Sequence, residues 1–64
     1  MTEYSVNWVY RTPNSDYRYS EYKVFDTAEE RNQFSFNLFA QHKKGEIVLL
    51  WVQEKDIYTW ENNT

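Results

Sequence analysis

From Tyr4 to Arg11 the chain alternates. Tyr4, Val6, Trp8 and Tyr10 share one side, Ser5, Asn7 and Arg11 the other, and only Val9 breaks the pattern. A period of two carried by aromatic and β-branched residues predicts a half-buried strand over about 4–11. Thr12-Pro13-Asn14-Ser15-Asp16 is the strongest turn cluster in the chain, so 17–25 reads as the returning strand of a hairpin. On that strand Tyr17 and Tyr19 share one face, whereas Tyr22 and Val24 share the other. A bulge would bring both pairs to one side. A regular strand with Tyr22 and Val24 inward, leaving Tyr17 and Tyr19 outside, is the simpler expectation.

The next segment carries helix signals at both ends. Asp26-Thr27-Ala28-Glu29-Glu30 offers capping-box spacing and early acidic residues, which suit the positive end of a helix. Lys43 and Lys44 fall at the other end, and Gly45 is placed to leave the helix. Phe34-Ser35-Phe36-Asn37-Leu38 alternates like a strand, but the capping signals decide for a helix over about 28–43. Its apolar stripe is expected to present Phe34, Leu38 and Phe39.

Ile47-Val48-Leu49-Leu50-Trp51-Val52 is the longest apolar run and predicts a third strand over about 46–53. A reversal at Glu54-Lys55 would return a fourth strand over about 57–61. The expected fold is therefore α+β: a ββαββ two-layer sandwich, a mostly antiparallel four-stranded sheet with one helix on one face, in a single domain over 1–64. In the symmetric second hairpin, Val48, Leu50, Val52 and Ile57 share one face, and Leu49, Trp51, Tyr58 and Trp60 the other. One helix covers one face of a sheet. With the helix on the aliphatic side, the aromatic side is left open.

Composition sharpens this picture. Sixty-four residues with three Trp, six Tyr and four Phe are far from the aromatic-poor signature of disorder. So short a chain forms one small core, and with no Cys and one His it has no disulfide and little metal-binding capacity. The formal net charge of −3 opposes nucleic-acid binding, in which phosphate neutralisation dominates affinity. No apolar run approaches the about 20 residues of a membrane span. The chain starts without a basic, apolar leader, and cysteine is absent, so the cytoplasm is the expected location.

Candidate chemistry is sparse. A single glycine excludes a phosphate-cradling loop. His42 reads as a helix-end residue, and Glu29-Glu30 as helix-start residues that do not face each other. No catalytic, cofactor or metal site, and no small-molecule substrate, is expected. What the residues do nominate is a binding surface: Trp51, Tyr58 and Trp60 with Leu49 beside them, joined by Tyr17 and Tyr19. Exposed aromatic patches mark interaction sites. The expected function is a small non-enzymatic protein-interaction module that binds a partner or a second copy of itself. Its size suits a regulator or inhibitor of the phage or mobile-element type, and its acidity a basic partner. The alternative is single-stranded nucleic-acid binding by base stacking on the sheet, with Arg11, Arg18, Lys23 and Lys55 following the backbone.

Overall fold

The structure is a computed structural model and describes residues 2–58. Four elements follow one another: β1 (Thr2–Arg11), β2 (Arg18–Phe25), α1 (Ala28–Lys43) and β3 (Val48–Tyr58). The strands form an antiparallel sheet in the order β2-β1-β3, and α1 packs across one face of it.

β1 is central because its alternating pattern can face a helix while its backbone is paired on both edges. Val6 is fully enclosed, and with Trp8 and Leu38 it forms the buried apolar core; Tyr10, Phe25, Phe34, Ile47, Leu49 and Val52 pack around it half-exposed. Full burial of such a side chain contributes roughly 1.5–3 kcal/mol, so the core is small. Phe34 joins helix to sheet, its ring 5.0 Å from that of Trp8 and 5.4 Å from that of Phe25.

The helix ends follow from local chemistry. Thr27 Oγ1 accepts the Glu30 N–H at 3.2 Å, satisfying one of the donors left open at a helix start. At the other end Gly45 adopts φ +81°. Its N–H reaches the His42 carbonyl, and the Glu46 N–H reaches that of Gln41, each at 3.0 Å. That pattern is a Schellman closure, which needs a left-handed residue. His42 adds a tether, its Nδ1 accepting the Leu49 N–H at 3.1 Å.

The second half of the sheet departs from the expected fold. Among the described residues the sheet has three strands, not four. β3 runs unbroken through Glu54-Lys55, with Glu54 opposite Val6 and Lys55 opposite Ser5. A two-residue reversal favours residues that accept positive φ, and neither Glu nor Lys supplies one. Ten-residue β1 instead offers β3 a partner along its whole length. Glu54 and Asp56 thereby fall on the helix side, where Arg31 meets both. Its Nε lies 3.2 Å from the Glu54 carboxylate, and its Nη1 bonds the Asp56 carboxylate and the Lys55 carbonyl. The guanidinium also sits 5.5 Å from the Tyr4 ring. One arginine from α1 thus makes an acidic strand segment compatible with the covered face.

β2 is regular, as expected, but faces the other way. Phe25, Lys23, Glu21 and Tyr19 lie opposite Tyr4, Val6, Trp8 and Tyr10, on the helix side. Tyr22 and Val24, expected inward, are exposed on the opposite face. Lys23 is tolerated inward because its ammonium lies 5.2 Å from the centres of both the Phe25 and Phe34 rings, a cation–π placement. Phe39, expected in the core, is half-exposed, as its 50% accessibility shows.

Candidate interaction surface

The uncovered face is built by alternation alone. With Tyr4, Val6, Trp8 and Tyr10 committed to α1, the pleat turns Glu3, Ser5, Asn7, Val9 and Arg11 to the other side. The register adds Arg18, Ser20, Tyr22 and Val24 from β2, and Trp51, Gln53, Lys55 and Ile57 from β3. Among the described residues no element covers this face. Tyr22 at 57% and Trp51 at 46% exposure, with Val24 and Ile57 also exposed, put apolar and aromatic side chains on the two outer strands, separated by Ser5 and Asn7 of β1. Near the middle, Ser5 is buried, its hydroxyl donating to the Lys55 carbonyl at 3.3 Å.

The residues expected to form the binding surface do not come together. Trp51 lies on the uncovered face, opposite Val9. Leu49 lies on the helix side against the core, because a register shift between Val9 and Tyr10 leaves Leu50 as an extra residue and reverses the parity. Tyr58 pairs with Thr2, in step with the helix-facing residues of β1, so it does not share a face with Trp51. Tyr19 stacks on Tyr10 at 5.2 Å, and Tyr17 meets Tyr19 edge-on at 4.9 Å. These three form a tyrosine ladder running out along the helix side of the first hairpin. Trp60, and the expected strand beyond Tyr58, lie outside the described residues.

Residues missed by sequence reasoning are Tyr22, Val24 and Ile57. The signal was present in β1: once its aromatic side is assigned to the helix, antiparallel pairing sets the parity of both neighbours.

Charge is distributed unevenly between the faces. Of the chain's seven basic residues, Arg11, Arg18 and Lys55 lie on the uncovered face, where Glu3 is the one acidic strand residue among the described residues, in a chain of net charge −3. Both ion pairs among the described residues belong to Arg31. A groove of about 300 Å³ between α1 and the sheet has Trp8, Phe34 and Leu38 in its wall and Glu21, Asn37 and Gln41 as polar groups, without a nucleophile beside a base. Among the described residues no cluster of three or more His, Asp or Glu could hold a metal ion, and no helix is long and apolar enough to cross a membrane.

Compared with known proteins, the chain matches no family model, no curated protein and no solved structure. The fold class, a three-stranded antiparallel sheet with one helix, is therefore defined by its own geometry.

Proposed function

We propose that the chain is a non-enzymatic protein-interaction module, acting in the cytoplasm, that docks a partner on the uncovered face of its sheet. The observation that carries this reading is that Tyr22, Trp51, Val24 and Ile57 are exposed on one face that no element covers among the described residues. Trp and Tyr are preferred interface anchors because they bury much area at little entropic cost, and flanking polar residues supply a rim. The charge of this face, rather than that of the whole chain, selects the partner, so an acidic surface replaces the basic one that net charge favours. Self-stacking of two such faces sets like charges together, which argues for a different protein over a second copy. Occlusion of a target's working surface is the regulatory or inhibitory action open to a module of this size.

Single-stranded nucleic acid is the second reading, favoured by the three cations that share a face with Tyr22 and Trp51. Affinity capture with wild type and with Tyr22→Ser/Trp51→Ser, both checked for unchanged circular dichroism, tests the main reading. Specific protein captured by wild type should be lost with the double variant and kept with Phe36→Ser, whose side chain lies on α1. Capture that survives in the folded double variant rules out this face.

A further inference from the structure

The strands place two arginines directly against each other. Arg11 on β1 and Arg18 on β2 are partners in the register, and both side chains belong to the uncovered face. Directly paired residues have Cβ atoms about 5 Å apart, and like charges there destabilise the sheet. Elsewhere the chain neutralises a cation in an inward position with two carboxylates, at Arg31. At Arg11 and Arg18 no acidic side chain among the described residues comes within ion-pair distance. Arg11 Nη1 donates to the Thr12 carbonyl at 3.2 Å, which uses one of its five donors. Arg11 is partly buried and Arg18 exposed, and neither guanidinium forms an ion pair among the described residues.

We propose that the Arg11–Arg18 pair is an anion clamp that receives the carboxylates of an acidic protein segment. This proposal rests on the reading of the uncovered face as the docking surface, and it names the chemistry of the partner. A guanidinium binds a carboxylate through two parallel hydrogen bonds, so two adjacent guanidiniums take two carboxylates, or share one. The next positions toward the middle of the sheet are Val9 and Ser20, with Trp51 opposite Val9 on the far strand. An apolar side chain following the acidic ones in the bound segment would lie over Val9 and Trp51.

Charge placement favours protein over nucleic acid as occupant. Lys55 pairs with Ser5 and Arg11 lies six residues further along β1, a separation of about 20 Å at the rise of a strand. A polynucleotide needs cations that track successive phosphates, whereas here the two ends are basic and the span between them carries Val9, Asn7 and Gln53. Tyr22 and Trp51 offer rings to a base, but aliphatic Val9, Val24 and Ile57 beside them suit apolar side chains.

Three probes test this on the full chain at low ionic strength: a labelled peptide of alternating Glu and Leu, labelled oligothymidylate, and inorganic phosphate. Fluorescence anisotropy should show the peptide bound more tightly than the oligonucleotide. Arg11→Gln and Arg18→Gln should each weaken it at least tenfold, while Lys43→Gln at the helix end changes it less than twofold. Melting provides an independent readout. Without ligand, Arg18→Gln should melt higher than wild type because a like-charge contact is relieved. Peptide, and weakly phosphate, should raise the melting temperature of wild type but not of Arg18→Gln.

Peptide affinity indifferent to both substitutions overturns the clamp, as does a lower melting temperature for ligand-free Arg18→Gln. Tighter binding of oligothymidylate overturns the acidic-protein occupant. If capture is lost with Tyr22→Ser/Trp51→Ser while both arginine variants retain peptide binding, the clamp fails and the docking face stands. If capture survives that double variant, the face itself fails.

Discussion

The two faces of this sheet share three strands and differ in how their charges are treated. On the covered side the inward cations have partners, whereas Glu21, opposite Trp8, forms no ion pair among the described residues. Arg31 meets Glu54 and Asp56, and Lys23 lies over Phe25 and Phe34. On the uncovered side Arg11 and Arg18 are set against each other without a neutralising acid among the described residues. The difference separates two jobs. The covered face supplies folding energy, and helix residues Arg31 and Phe34 meet three of its inward charges, Glu54, Asp56 and Lys23. The uncovered face contributes less to the fold and keeps its aromatic and basic groups available.

The sharpest way to break this comparison is to truncate one tryptophan on each face. Trp8 is buried against Phe34, whereas Trp51 is about half exposed. Trp8→Ala should cost about 3–5 kcal/mol, a large share of the about 5–15 kcal/mol that holds a domain together. Trp51→Ala should cost under about 1 kcal/mol. Urea denaturation followed by circular dichroism compares them directly. Similar losses at the two positions would mean that the open face also carries the fold.

The next effect concerns the residue that makes β3 continuous. Arg31 is itself buried, and its carboxylate partners are substantially exposed, so solvent screening reduces the value of the pairs. Even so, Arg31→Met removes the ion pair to Glu54 and hydrogen bonds to the Asp56 carboxylate, the Lys55 carbonyl and the Asn32 side-chain oxygen, and should cost about 2 kcal/mol. Glu54→Gln and Asp56→Asn should each cost about 0.5–1 kcal/mol, since each leaves the other partner in place. Hydrogen exchange locates the damage. Amide protection should fall first over 53–57 in Arg31→Met, and a loss confined to the first hairpin would contradict the role assigned to Arg31.

That same arginine marks the boundary of what the sequence made legible. The helix ends could be read because Thr27, Lys43, Lys44 and Gly45 act within one turn of where they stand. β1 could be read because its alternation is local. Whether Glu54-Lys55 turns or continues depends on Arg31, more than twenty residues away, and on the length of β1. Local charge resembled a surface reversal, and the cation that makes it a strand was out of view. The binding surface failed for a related reason. Placing Leu49, Trp51, Tyr58 and Trp60 on one face required the second hairpin, and an uninterrupted β3 with an extra residue at Leu50 separates Leu49 and Tyr58 from Trp51. Lys23 and Glu21 hid the inward side of β2, because polarity alone does not reveal a lysine ammonium placed over aromatic rings.

A smaller effect sharpens the comparison from within the covered layer, and its sign is opposite. Ser35 is buried on the sheet-facing side of α1, and its hydroxyl has no hydrogen-bond partner among the described residues. A buried hydroxyl without a partner carries a desolvation cost, and serine is a weaker helix former than alanine. Ser35→Ala removes both penalties and keeps nearly the same volume, so it should raise stability by about 0.5–1 kcal/mol without altering the register. The same change at Ser5, which donates to the Lys55 carbonyl across β1 and β3, should lower stability by about 1 kcal/mol. Measured side by side in urea, the two serines separate a charge-free polar group that the helix layer leaves unsatisfied from one that the sheet uses. A loss of stability at Ser35 would place an unseen partner beneath the helix.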